Sequence, residues 1–164
     1  MSIDTHKALA RRWFGEIVNG QTDPATLLAA LDATFAPEFV DHDGPDPRHG
    51  RAALQRALPL LLTACPDARL MIEQLLGEDD HVAVRVRGEA THSAMIMGIP
   101  PTGRRISWTE NELFRFEHGQ IVESWGEGTL DTALATIGLA FKSEPRPANA
   151  GGDEYAPITQ EVPK

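Results

Sequence analysis

The chain has few or none of the features that would assign it to several common protein classes. It has one cysteine, Cys65, so an internal disulfide is excluded. Lys and Arg total 15 against 24 Asp and Glu, for a net charge of −9, and no basic stripe is visible, which argues against nucleic acid as a partner. The first ten residues lack an apolar signal region, and no apolar run approaches the length of a membrane span. We therefore expect a cytoplasmic protein that does not associate with membranes.

Metal-ligand patterns and internal repeats are also missing from the sequence. The six histidines are scattered without ligand spacing, so no metal site is predicted. With 164 residues the chain is long enough for one domain with a substantial core. Residues 142–164 are rich in Pro, Gly and charge and have almost no apolar periodicity. We expect a domain over residues 1–141 and a disordered or loosely docked tail over residues 142–164.

The apolar periodicity predicts three helices in the first part of the chain. The first carries Trp13, which is either a core residue or part of a ligand pocket. The second begins at Asp23 and Pro24, a capping residue followed by a proline of the first turn. The third runs from about Arg51 to Ala64 and contains Pro59. A short last helix is predicted between Thr129 and Gly138.

Two long strands and a hairpin follow these helices in the sequence. Residues 68–76 and 81–94 are predicted strands, and the second alternates cleanly between apolar and polar positions. Its apolar row ends in Gly88, Ala90 and His92. A histidine in this position is either a hydrogen-bonded structural residue or, because its neighbours are small, a residue that faces a cavity.

The hairpin from Arg104 to Gly128 contains the most informative pattern. Alternation along its first arm places Glu110 and Glu112 on one face together with four apolar residues, Ile106, Trp108, Phe114 and Phe116. Burial and mutual repulsion should raise the pKa of at least one of these carboxyls. Such a pair is suited to acid–base chemistry near neutral pH.

The turn of this hairpin decides which residues face the two carboxylates. We favour a three-residue loop, Glu117 to Gly119, because only the glycine then needs a positive φ. This register places Ser124 opposite Glu112 and Gly126 opposite Glu110. A two-residue turn at His118 and Gly119 would shift the register by one residue, and Glu123 and Trp125 would take those places.

Two further segments are candidates for a pocket rim. Asp41, His42 and Asp43 follow a short predicted strand at Phe39 and Val40, and they either reach into a pocket or serve as turn residues and a solvated histidine. The loop over residues 95–104 carries Met95 and Met97. Their soft side chains could cover an apolar ligand or pack on a neighbouring subunit.

Leu113, Ile121 and Trp125 are predicted to form an apolar row on the outer face of the sheet. Such a row is poorly explained in a monomer, so we expect a homodimer or homotetramer that associates through this face.

Several stretches together resemble a known family. They are Phe39 to His42, the segment from Gly98 to Arg104, and the hairpin residues Leu113 to Phe116 and Gly119 to Trp125. Over about residues 5–140 the sequence resembles the SnoaL-like polyketide cyclases of the nuclear transport factor 2-like superfamily. The resemblance implies a cone-shaped α+β fold, in which three N-terminal helices pack on a strongly curved, mainly antiparallel sheet.

The resemblance also implies acid–base chemistry without a cofactor, such as cyclisation or isomerisation of a polyketide-like or other apolar, oxygenated small molecule. Family cyclases use a pocket Asp on the last strand and a pocket His on the preceding one, and an alignment without gaps places these positions at Gly126 and Glu112. Glu112 is therefore the predicted general acid or base, Glu110 assists it, and His92 orients the substrate or polarises a carbonyl. The predicted substrate-binding residues are Trp13, Asp41, His42, Met95, Met97, Trp108, Phe114, Ser124 and Gly126.

Two alternative functions remain open from the sequence. The first is a binding or assembly module without catalysis, because Gly126 stands where the family has its acid. The second is an epoxide hydrolase or hydratase, which would need an arginine between two acids. Arg85, Arg87 and Arg115 are predicted on the opposite faces of their strands from the carboxylates, which counts against it.

Overall fold

The computed structural model describes residues 1–19, 23–43, 48–96, 99–130 and 132–133. The predicted tail and Met97 lie outside these ranges, as does the end predicted for the last helix. Leu130, Thr132 and Ala133 are helical, which agrees with the predicted start of that helix after Thr129. Within the described residues, no helix is long and apolar enough to span a membrane.

Three helices precede the long strands, as predicted. Helix α1 (Ile3–Arg12) continues into a π-helical segment, Trp13–Val18, and is followed by α2 (Pro24–Thr34) and α3 (Ala52–Ala64). The Asp23 side chain accepts hydrogen bonds from the backbone N–H groups of Ala25 and Thr26, which stabilises the start of α2. Pro59 lies inside α3, as the sequence suggested.

The described part of the chain forms a sheet of six strands in the order β2-β1-β6-β5-β4-β3. They are β1 (Phe35–Asp41), β2 (Arg48–His49), β3 (Arg69–Glu78), β4 (His81–Thr91), β5 (Arg105–Glu117) and β6 (Gln120–Gly128). Among the strands of the described residues, only the β1–β6 pair is parallel, so the sheet is mainly antiparallel. Strand β1 is longer than the predicted pair Phe39 and Val40, because it begins directly at the end of α2.

The β5–β6 hairpin differs from the favoured register. Glu117 pairs with Gln120, so the turn has two residues, and both His118 and Gly119 have positive φ. This backbone geometry matches the twist of the flanking strands, and that match outweighs the strain of a positive φ at a histidine. The three-residue loop predicted from the sequence is therefore wrong.

A β-bulge next to the turn returns the later residues of β6 to the face of the sheet on which they were predicted. Phe116 pairs with Ile121, whereas Arg115 pairs with Glu123, so one residue of β6 is skipped. As a result Glu112 lies opposite Gly126, Glu110 lies opposite Gly128, and Ser124 lies opposite Phe114. Glu112 and position 126 share a face, as the resemblance requires, but they are direct partners rather than diagonal neighbours.

The main core lies between the helices and the inner face of the sheet. It contains aromatic and aliphatic side chains from every layer, among them Trp13, Phe35, Phe39, Phe114 and Ile121. The prediction that Ile121 faces outward is wrong, because the bulge turns it inward, where it is completely buried.

Candidate active site

A cavity of about 270 Å³ lies between the helices and the inner face of the sheet. Six aromatic residues contribute to its wall: Trp13, Phe14, Phe35, Phe39, Trp108 and Phe114. The aliphatic part of the wall includes Leu54, Leu58 and Leu61 from α3 and Leu70 from β3. The cavity therefore has the apolar character of a site for a small organic molecule.

Four carboxyl groups line this otherwise apolar cavity, and we call them the carboxyl cluster: Asp41, Asp43, Glu110 and Glu112. Glu110 and Glu112 come from β5, where they occupy successive inward positions. Asp41 is the last residue of β1, and Asp43 follows it. No lysine or arginine is among the described residues that line the cavity.

Glu112 is the most perturbed member of the cluster. Only 8% of the residue is exposed. Burial first, and then the charge of Glu110, a hydrogen bond with Glu110 and the charges of Asp43 and Asp41, raise the pKa of Glu112 from 4.5 to about 10. Glu112 therefore holds a proton at neutral pH and can donate it in a hydrogen bond.

The end of β1 and the two residues after it bring Asp41 and Asp43 to the same side of the sheet. Asp41 pairs with Ser124 of β6, and the backbone N–H of His42 donates to the Ser124 carbonyl at 2.9 Å. The Asp43 N–H donates to Asp41 Oδ1 at 2.9 Å, and the Gly126 N–H donates to Asp43 Oδ1. These bonds hold both aspartates against the strand that faces Glu112.

Most of the residues predicted for the site from the sequence do line the cavity. The structure brings together Glu110, Glu112, Trp13, Asp41, Trp108, Phe114 and Ser124. Gly126 lies next to the cluster, because a Cβ atom there would collide with Glu112 and Asp43.

Three predicted site residues do not join this group. His42 lies across the sheet, where its ring stacks on Trp125 at a centroid distance of 4.7 Å. Met95 is largely exposed and is not among the cavity-lining residues. His92 is completely buried, and its Nδ1 lies 3.1 Å from Thr102 Oγ1, but it too is absent from the cavity wall. The contact with Thr102 fits the structural interpretation of this histidine, whereas its buried Nε2 has no hydrogen-bond partner among the described residues.

Asp43 is the acidic cavity residue that the predicted site left out. If the strand alternation is continued three residues beyond Val40, Asp41 and Asp43 fall on one face and His42 on the other. The Pro- and Gly-rich sequence that follows concealed this signal, because it is typical of a turn rather than of a strand end.

A second depression lies on the outer face of the sheet. This shallow groove of about 780 Å³ is lined by residues including His42, Leu76, Arg85, Leu113 and Trp125. It is larger than the inner cavity, but it is open and contains no buried carboxyl group of its own, since Glu112 contributes to its floor from the opposite side of the sheet. We therefore place the candidate active site in the inner cavity.

In the described residues, no group of three or more His, Cys, Asp or Glu is arranged to hold a metal ion.

The fold is a nuclear transport factor 2-like α+β cone. The model of the SnoaL-like polyketide cyclase family matches residues 8–133. The chain belongs to this family. A comparison with curated proteins gives no match.

Solved structures with the same fold include two from streptomycetes. AclR from Streptomyces galilaeus, described as a candidate hydroxylase, is 28% identical with a TM-score of 0.71, over 84% of this chain and 83% of AclR. IdmH from Streptomyces antibioticus, described as a candidate polyketide cyclase, is 28% identical with a TM-score of 0.65, over 82% of this chain and 99% of IdmH. A SnoaL-like protein from Jannaschia sp. CCS1 has a TM-score of 0.75 at 20% identity, over 85% of this chain and 96% of that one, and supports the fold alone.

Proposed function

We propose that this protein is an acid–base enzyme that works without a cofactor, a cyclase or isomerase of a polyketide-like or other apolar, oxygenated small molecule. The observation that carries the proposal is the burial of Glu112 in an apolar cavity beside three further carboxyl groups, which raises the pKa of Glu112. Family membership and the candidate polyketide cyclase IdmH support the substrate class.

Glu112 acts in this proposal as a hydrogen-bond and proton donor. A carboxyl that stays neutral at pH 7 can polarise a substrate carbonyl and stabilise the oxyanion that forms when an α-proton leaves. An ionised carboxyl of the same cluster accepts that proton. Two carboxyls whose environments push their pKa values apart are the arrangement that acid–base catalysis requires.

The test uses cyclohex-3-enone, a small neutral ketone whose isomerisation to the conjugated enone is followed by ultraviolet absorbance. We expect the wild-type protein to accelerate this reaction. Glu112→Gln preserves the shape of the side chain but cannot transfer a proton, so turnover should fall at least about a hundredfold. Glu110→Gln should have a smaller effect and should move the pH profile toward acid, because it removes a charge that raises the pKa of Glu112.

Glu38→Gln is the control for this experiment. Glu38 is an exposed carboxylate of β1, and its replacement should leave turnover unchanged. If the wild-type protein does not accelerate the isomerisation, or if Glu112→Gln keeps full turnover while the protein remains folded, the proposed function is wrong.

The epoxide hydrolase alternative receives less support from the geometry. Arg85 and Arg87 lie beside Glu73, and Arg115 lies beside Glu117 and Glu123, all on the outer face or rim of the sheet. No arginine among the described cavity-lining residues stands between two acids.

The outer face of the sheet supports the further proposal of a homodimer or homotetramer. Leu76 is 67% exposed, Leu113 37% and Trp125 36%, and all three border the outer groove. Sedimentation velocity should therefore give an assembly larger than a monomer at micromolar concentration, and Leu113→Glu should dissociate it because a carboxylate would enter an apolar contact. A wild-type monomer at that concentration would contradict this prediction.

A further inference from the structure

The glycine at position 126 leaves open a space on which two carboxyl groups converge. A Cβ atom built on Gly126 would lie 2.8 Å from Asp43 Oδ2 and closer still to Glu112 Oε1. Real Cβ atoms do not approach other atoms so closely, so a side chain at position 126 would displace one or both carboxyls. Asp43 and Glu112 therefore occupy the volume that a side chain on the last strand would otherwise take.

Asp43 reaches this space from a loop that is tied to β6. Its Oδ1 accepts the Gly126 N–H, and its own N–H donates to Asp41 Oδ1 at 2.9 Å. On the other side of the sheet, the ring of His42 stacks on Trp125 with an interplanar angle of 3°. His42 and Asp43 are thus held on opposite faces of the sheet, and Asp43 is directed inward as a result.

The two carboxyl groups are suited to opposite protonation states. Glu112 is buried in an apolar wall, and the charge of Asp43 is one of the causes that keep it protonated. The backbone N–H that Asp43 accepts stabilises the ionised form of a carboxyl group. Two carboxyls that converge on one space do not both ionise at low cost, and an acid beside a base is the arrangement that results.

We propose that Asp43 is the proton acceptor of this site and forms an acid–base pair with Glu112. Asp43, which follows β1, thus replaces a carboxylate that would otherwise come from the last strand. This inference rests on the proposed function, because it assigns the base of the same cavity. In the isomerisation of a ketone, Asp43 removes the α-proton, and the C–H electron pair forms the double bond of a dienol while Glu112 protonates the carbonyl oxygen. Asp43 then delivers its proton to the γ-carbon, and Glu112 recovers its own from the dienol oxygen.

Two neutral probes separate the base from the acid. Ring opening of 5-nitrobenzisoxazole needs only a base: the ring C–H proton is removed, its electron pair forms the nitrile, and the N–O bond breaks to release a coloured phenolate. Isomerisation of cyclohex-3-enone needs both a base and an acid. Asp43→Asn should therefore slow both reactions at least about a hundredfold, whereas Glu112→Gln should slow only the isomerisation to that extent.

The matched controls are carboxyl-to-amide changes and a rescue variant. Glu38→Gln, an exposed change on the preceding strand, should leave both rates unchanged. Asp43→Ala combined with Gly126→Asp should recover part of the ring-opening rate lost in Asp43→Ala, because it returns a carboxylate to the same space from β6. Infrared spectra across a pH titration should also show that Glu112 loses its proton at lower pH in Asp43→Asn than in the wild-type protein.

The ring-opening rates test whether Asp43 is the proton acceptor. If the wild-type protein does not open 5-nitrobenzisoxazole, or if folded Asp43→Asn opens it at the wild-type rate, Asp43 is not the proton acceptor. If the rescue variant folds and recovers no activity, the shared space at Gly126 is not where Asp43 acts, and the pairing is overturned. The wider proposed function fails separately, through the absence of cyclohex-3-enone isomerisation by the wild-type protein.

Discussion

Glu112→Gln should make the protein more stable at neutral and alkaline pH, although it removes a carboxyl group from the candidate active site. Glu112 has its pKa raised from 4.5 to about 10, mainly by burial and then by Glu110. A glutamine of the same shape carries no proton to lose in either state. The stability of the variant should therefore lack the pH dependence that Glu112 imposes on the wild-type protein.

The direction of this effect follows from the number of protons that each state binds. Below pH 4.5 the Glu112 carboxyl is protonated in both the folded and the unfolded protein, so it contributes no difference. Between pH 4.5 and about 10 only the unfolded chain loses the proton, and the folded state becomes less favourable as the pH rises. Each pH unit in this window corresponds to about 1.4 kcal/mol, so at pH 7 the destabilisation is on the order of 3 kcal/mol.

Urea denaturation at several pH values measures this difference. At pH 5 the variant and the wild-type protein should unfold at similar urea concentrations, because the lost hydrogen bond offsets the small gain there. By pH 8 the variant should be more stable by about 4 kcal/mol, since each pH unit adds about 1.4 kcal/mol. Glu38→Gln, on the exposed part of β1, should follow the wild-type curve throughout. Parallel curves for Glu112→Gln and the wild-type protein would mean that Glu112 is ionised in the folded state.

The sequence was sufficient to predict which face of β5 carries the candidate site. Glu110 and Glu112 alternate with Trp108 and Phe114, and a period of two places such residues on one face whatever the partner strand is. The three helices were also predictable, because apolar periodicity and the cap at Asp23 are local signals. The mainly antiparallel sheet was an implication of the family resemblance.

The register between neighbouring strands was harder to predict from the sequence. The β-bulge beside the turn moves Gly126 directly opposite Glu112, and nothing local at Val122 marks the skipped residue. Asp43 was considered for a pocket rim but left out of the predicted site for a similar reason, since its inward direction depends on the parallel pairing of β1 with β6, two strands that lie far apart in the chain. Non-local register of this kind is decided by packing rather than by residue preference.

Gly88 is the position where the sequence suggested empty space and the structure shows the reverse. The small residues Gly88 and Ala90 on β4 were consistent with a hollow next to His92. In the structure Gly88 pairs with Trp108, and the indole ring lies over it. A Cβ atom on Gly88 would approach three atoms of this ring to 2.7 Å or less, so the glycine makes room for a side chain of the cavity wall.

Gly88→Ala should therefore destabilise the protein by about 2–3 kcal/mol, because the Trp108 ring must leave its position or the two strands must separate. Gly15→Ala is the matched control, since a Cβ atom on Gly15 meets no atom within 4 Å. That change should be neutral or stabilising by up to about 1 kcal/mol, because alanine restricts the unfolded chain. The fluorescence of Trp108 should shift in Gly88→Ala and not in Gly15→Ala, with Trp13 and Trp125 replaced by phenylalanine in the background of both variants. Equal stabilities for the two alanine variants would show that the position of the Trp108 ring does not depend on the absence of a side chain at position 88.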